Sequence, residues 1–188
     1  MSHNCSARRE PNSAPVFALS SLALLTLLHA QPGRAADSGV AAPETPLSEL
    51  TRMLSGNWRC SGHFANGKPI TSVESFAPLL GGLWLAEEHT DDPPFPYQAR
   101  SMWGWDEGSH LLILTIFDNF GGVRLFTSGG WQDSTLVFDE KSLINTPARQ
   151  ERFIYKRLPT SGYSVEYQVL EASKQWRMGD VLACTVAR

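Results

Sequence analysis

The sequence predicts an all-β protein: roughly ten antiparallel strands in up-and-down order, closed into a barrel and preceded by one short helix. Three observations carry this reading. Turn signals recur at short intervals from Asn57 onward, at Asn66-Gly67, Gly81-Gly82, Asp92-Pro93-Pro94, Asp106-Glu107-Gly108, Gly121-Gly122, Gly129-Gly130, Pro159 to Gly162 and Gly179-Asp180. The segments between them are rich in aromatic and β-branched residues, and many alternate in polarity, as in Tyr163, Val165, Tyr167 and Val169 against Ser164, Glu166 and Gln168. Cys60 and Cys184 stand near the two ends of this region, and a bond between them requires the first and last strands to be neighbours. An open sheet of that size would leave two unpaired edges, which closure removes. A β-sandwich is the alternative.

Element by element, residues 1–36 read as a secretory signal peptide. Arg8 and Arg9 precede the apolar run VFALSSLALLTLLHA (16–30), and small residues offer exits after Ala35 or Ala36. The run is short for a membrane span, which needs about 20 apolar residues; an uncleaved anchor is the alternative. Residues 37–44 are small and polar and read as a flexible leader. The remaining stretch, 45–188, reads as one domain, opened by an entry helix over 45–55. Thr45 suits the N-cap, Pro46 the first helical position and Gly56 the stop, with Leu47, Leu50 and Leu54 on one face. Past Gly56 the helical period vanishes and short strands follow each other through tight connections.

Export sets the compartment, periplasmic or secreted, and the chemistry of the cysteines. Cys5 leaves with the signal peptide, so Cys60 and Cys184 remain as an even pair in an oxidising environment and are expected to form a disulfide; two buried thiols are the alternative. The formal net charge is −3, and losing Arg8, Arg9, Arg34 and Glu10 makes the domain more acidic still. No cluster of Lys and Arg marks a nucleic-acid partner, and no basic amphipathic face marks membrane insertion after cleavage.

The chemistry-bearing candidates gather on two strands. In LLGGLWLAEEH (79–89), Glu87 and His89 share a face with Leu83 and Leu85, while Glu88 falls opposite with Trp84 and Ala86. With the leucines inward, Glu87 and His89 continue the line toward the barrel mouth, as the polar end of a pocket, an acid–base pair, or two of three metal ligands with His63 as a third. Asp91 and Asp92 follow at once, which reads as a strand leaving for solvated loop. The spacing matches no established metal signature, and no metal is assigned. On the next strand Arg100 alternates with Gln98 and Met102, against Ala99, Ser101, Trp103 and Trp105. Pointing inward, Arg100 would anchor a ligand carboxylate; pointing outward it would sit on a solvated strand. Asp118, Asn119 and Asp106 read as turn formers. PPFPY (93–97) is a stiff connection, a plain loop or an overhang at the mouth. The six tryptophans either fill the interior or leave room for one small apolar ligand.

LSGNWRCSG (54–62), LLGGLWLAEEH (79–89) and MWGWDEGSHLLILTIFDNFG (102–121) resemble, in order, the motifs of a bacterial exported family described as a domain of unknown function. The likeness covers roughly residues 50–140 and implies a lipocalin-like, calycin-type barrel whose Gly-x-Trp, here Gly56 and Trp58, packs at the closed end beside the entry helix. A more distant likeness is to nitrobindin, which holds haem through a histidine near its C-terminal end. No histidine follows His110, so that mode lacks its ligand; His63, His89 or Met178 would be the remaining haem ligands, and no cofactor is assigned.

The sequence has no G-x-S-x-G, P-loop, G-x-G-x-x-G, C-x-x-C or H-E-x-x-H motif. The expected function is therefore binding of a small apolar, amphipathic or carboxylate-bearing ligand, with Arg100, Glu87, His89, Trp84, Trp103 and Met102 as its contacts. An isomerase or hydrolase using Glu87 and His89, and a solid-cored interaction or stress protein without a ligand, are the alternatives.

Overall fold

The computed structural model describes residues 44–141, 150–159 and 161–188. The expected signal peptide and all of the leader except Glu44 lie outside the described residues. The chain enters through helix α1 (Pro46–Leu54), whose start is built as its sequence implies. Ser48 N–H donates to the Thr45 hydroxyl at 3.2 Å, and Thr45 N–H donates to Ser48 Oγ at 3.0 Å, a reciprocal cap that satisfies two otherwise unpaired amides. Leu47, Leu50 and Leu54 are buried along one face. Gly56 then takes a φ of +123°, which a side chain would resist, and the chain turns into the sheet. The Trp58 indole donates to the Leu54 carbonyl at 2.6 Å, so the tryptophan pins the end of the helix to the barrel. Among the described residues, no helix is long and apolar enough to cross a membrane.

The strands follow in chain order: β1 (Gly56–Phe64), β2 (Pro69–Leu79), β3 (Trp84–Asp91), β4 (Gln98–Asp106), β5 (Leu111–Asp118), β6 (Val123–Ser128), β7 (Trp131–Gln132), β8 (Thr135–Lys141), β9 (Glu151–Leu158), β10 (Gly162–Leu170) and β11 (Trp176–Val186). All pairings are antiparallel. The ring runs from β1 to β6, passes directly from β6 to β8, and continues to β11, which pairs back onto β1; two-residue β7 lies beside β8. The result is a closed barrel of ten strands, as expected. At the seam Cys60 stands directly opposite Cys184, and the two form a disulfide. Gly62, two residues on, has no room for a side chain: a Cβ there would lie 1.7 Å from the Val181 carbonyl oxygen.

Alternation assigns every side chain to the inside or the outside. The half of the interior nearest α1 is filled. Trp103 is completely buried, with Phe76, Phe138 and Tyr155 around it at ring separations of 6.0, 5.2 and 5.3 Å, and Trp58 meets Tyr163 at 4.9 Å. Leu85, Leu112, Leu114, Phe126 and Leu136 complete this packed half. Of the six tryptophans only Trp58 and Trp103 are fully interior, so the aromatic load does not fill the barrel. One expectation fails locally: Leu83 does not share the inner face with Leu85. It follows a 3-10 turn over Leu80–Gly82 and is 72% exposed, because the turn interrupts the strand period before Trp84.

Candidate functional site

The other half of the barrel is hollow. A cavity of about 380 Å³ opens at the end away from α1. Its walls are Phe64, Ile70, Ala99, Ile116, Phe153, Val165 and Leu182, which take the inward positions of seven strands. The PPFPY segment crosses the mouth, placing Phe95, Pro96 and Tyr97 on the lining. Phe95 packs edge-on against Phe64 at 4.9 Å, and Tyr97 stacks with Phe120 at 6.2 Å. The turn that carries Phe120 is held by Asp118, whose carboxylate accepts the Phe120 and Gly122 amides at 3.0 and 2.9 Å, and by Asn119, which accepts the Gln98 amide at 3.0 Å. Asp106 likewise holds the β4–β5 turn by accepting the Ser109 amide at 2.9 Å. The turn readings of these residues are thus correct, and the Pro-rich connection does overhang the mouth.

Within this apolar shell lies a compact polar cluster. Strand β3 sends Glu87, His89 and Asp91 inward in succession, and neighbouring β2 sends in Glu74 on the same face as Ile70 and Phe76. His89 is clamped between carboxylates, with Nδ1 3.3 Å from Glu74 Oε1 and Nε2 2.8 Å from Asp91 Oδ1. Glu87 accepts the Trp103 indole N–H at 3.0 Å, and the Tyr163 hydroxyl donates to Glu74 Oε2. Asp180 enters from β11.

The charges follow from burial and from these neighbours. Burial acts against the His89 cation, but hydrogen bonds to Asp91 and Glu74 and the attraction of nearby carboxylates win, lifting its pKa to about 10. Burial, reinforced by the Glu74 charge, raises Glu87 to about 7, despite the opposing pull of His89 and its hydrogen bonds from Trp103 and Ser101. Asp180 rises to about 6 through burial and the charge of Asp91. The Tyr155 and Tyr163 phenols are pushed well above their usual range, chiefly by burial. Both ring nitrogens of His89 are thus engaged by carboxylates, Nδ1 by Glu74 and Nε2 by Asp91. At the rim Arg124, inward from β6, donates to Glu151 at 3.2 Å and to the Tyr97 hydroxyl at 2.8 Å, and lies 3.4 Å from Asp118.

The six contacts expected from the sequence divide cleanly. Glu87 and His89 line the cavity, and Trp103 lies beneath it as the donor to Glu87. Arg100, Trp84 and Met102 fall on the other parity. Arg100 is exposed and pairs with Glu88 on the outer surface at 2.7 Å, so the interior arginine is Arg124 instead. Trp84 lies across Gly104 on the outside, where a glycine Cβ would come 2.5 Å from its ring, and Met102 shares the outward parity of Arg100. Asp91, expected in solvated loop, is 7% exposed and prolongs the inner face, because β3 runs one residue further than its charges suggest. His63 is exposed, and a register shift between Tyr167 and Gln168 turns Met178 outward opposite Gln168. Glu74, Arg124 and Asp180 were missed. Parity with Phe76, Phe126 and Leu182 was the signal that places each of them inside.

The inner end thus holds four carboxylates, from Glu74, Glu87, Asp91 and Asp180, against one imidazole. Its field favours cations and hydrogen-bond donors over a carboxylate. No protein-family model matches the chain, and no curated protein matches it.

Proposed function

We propose that this is an exported binding protein whose barrel encloses a small amphipathic molecule. In this reading the apolar body of the guest lies against Phe64, Ile116, Phe153 and the Phe95–Tyr97 overhang, and its donor end faces Glu74 and Glu87. The observation that carries the reading is the division of the interior. One half is filled by fully buried aromatic and leucine side chains, while the other keeps a cavity of about 380 Å³ with apolar walls and convergent polar groups at its inner end. A disulfide-closed seam fits an oxidising compartment, which supports the exported assignment.

The test uses an apolar amine fluorophore, 1-aminoanthracene, titrated into the full chain in the presence of a chelator. Saturable one-to-one binding is expected. Ala99, a small residue on the cavity wall, provides the control: Ala99→Phe should fill the space and weaken binding at least tenfold without unfolding the barrel. Binding that survives Ala99→Phe unchanged, or no binding at all, refutes the proposal.

A further inference from the structure

We infer that Glu74, Glu87 and Nδ1 of His89 form a binding site for a divalent first-row transition-metal ion at the inner end of the cavity. Each residue offers one ligand atom, and the three atoms lie within 4.8 Å of one another. The Glu74 Oε1–His89 Nδ1 separation is 3.3 Å. Two ligands at metal distances of about 2.0–2.1 Å in tetrahedral geometry stand about 3.3 Å apart, so this pair already spans one edge of a coordination tetrahedron.

The groups behind the ligands are those a metal site uses. A metal-bound histidine ordinarily donates its other ring N–H to a carboxylate, which fixes its orientation; here His89 Nε2 meets Asp91 Oδ1 at 2.8 Å. Glu87 Oε2 is held by the Trp103 indole, and Glu74 Oε2 by the Tyr163 hydroxyl, which leaves Glu74 Oε1 facing His89. All of these supports are side chains of the packed half of the barrel or of the same strand, so the ligands are fixed from below and open above.

An independent observation points to a guest at the same place. Ser72 Oγ, two residues from Glu74 on the same face and directly across from Asp91, is fully buried and has no hydrogen-bond partner among the described residues. Buried polar atoms are ordinarily paired, and an ion with its bound water supplies partners. The nearby guanidinium does not fill this role, because Arg124 is engaged by Glu151, Asp118 and Tyr97. One imidazole with two carboxylates suits Zn²⁺, Co²⁺, Mn²⁺ or Fe²⁺. Three protein ligands leave a coordination position open toward the apolar cavity, where water or a donor atom of a guest completes the sphere. The site does not depend on the amphipathic guest, and either can exist without the other.

The experiment takes the full, disulfide-intact chain, freed of metal with a chelator and exchanged into clean buffer, and titrates it with Zn²⁺ by calorimetry and with Co²⁺ by visible spectroscopy. One ion per chain is expected, with an intense four- or five-coordinate Co²⁺ band. Glu87→Gln should weaken Zn²⁺ binding at least 100-fold. Asp91→Asn, which removes the carboxylate behind His89 without removing a ligand, should weaken it 10- to 100-fold. Circular dichroism checks that each variant folds. Absence of saturable uptake, a weak hexa-aqua-like Co²⁺ spectrum in the unmodified protein, or unchanged affinity in folded Glu87→Gln would overturn the inference. The spectrum of the unmodified protein decides the matter even if a variant does not fold. Failure here leaves the fluorophore result intact, since that titration is run in chelator.

Discussion

Replacing Glu87 by glutamine should stabilise the metal-free protein, and should do so only where the carboxylate is charged. Glu87 is 8% exposed and stands beside Glu74, and its pKa rises from 4.5 to about 7 on folding. The folded state thus holds the Glu87 proton more tightly than the unfolded chain does, so stability falls as pH rises from about 4.5 through 7. Each tenfold change in proton affinity is worth about 1.4 kcal/mol. Above neutrality, ionised Glu87 therefore costs on the order of 3 kcal/mol. Glutamine keeps an oxygen to accept the Trp103 N–H and never carries the charge. Urea unfolding of the oxidised protein in chelator at pH 5 and pH 8 makes the comparison. Glu87→Gln should exceed the unmodified protein by about 2–3 kcal/mol at pH 8 and match it closely at pH 5. A variant that is less stable at pH 8 than at pH 5, relative to the unmodified protein, would refute the reasoning. It would mean that the charged carboxylate is held favourably and that the cluster has no excess of acid.

Other perturbations follow from the same structure. Asp180 should reinforce the acid preference, since its rise from 3.8 to about 6 makes stability fall through that window, while His89, raised from 6.5 to about 10, contributes stability below 6.5 that is lost toward pH 10; a pH series of urea midpoints should therefore peak on the acid side of neutrality. Reducing Cys60–Cys184, which closes a separation of 124 positions, should cost about 5 kcal/mol in the chain-entropy account, read as a lowered midpoint with reductant. Gly62→Ala should lower the melting temperature far more than a surface change, because its methyl would meet the Val181 carbonyl. Trp58→Phe should cost about 1–2 kcal/mol in the same assay, by leaving the Leu54 carbonyl without its donor.

Much of this architecture was legible in the residues because closure, alternation and turn chemistry are local or pairwise. Thr45, Pro46 and Gly56 bracket the helix by capping rules alone. Cys60 and Cys184 foretell the seam, because only neighbouring strands can be bridged. The inner face of β3 was readable as far as His89. Asp91 was misjudged because a second aspartate and two prolines follow it, and a run of charges looks like solvent when its partner His89 is not yet in place. Arg100 was ambiguous for a plain reason: period-two alternation separates two faces but does not name the inner one, and Trp103 and Met102 each offered an apolar neighbour. Glu74, Asp180 and Arg124 come from three other strands, so only the ring as a whole brings them to one end. Cross-strand convergence of that kind leaves no mark in any single segment.

A crystal of the protein grown with 4-bromobenzylamine would show whether the barrel holds an amphipathic amine, since bromine reveals position and orientation by anomalous scattering. The bromine peak should fall among Phe64, Ile116 and Phe153, with the amine directed at Glu74 and Glu87. No bromine inside the barrel, with aromatic side chains closed into that space, would contradict it, as would an amine turned away from the acids.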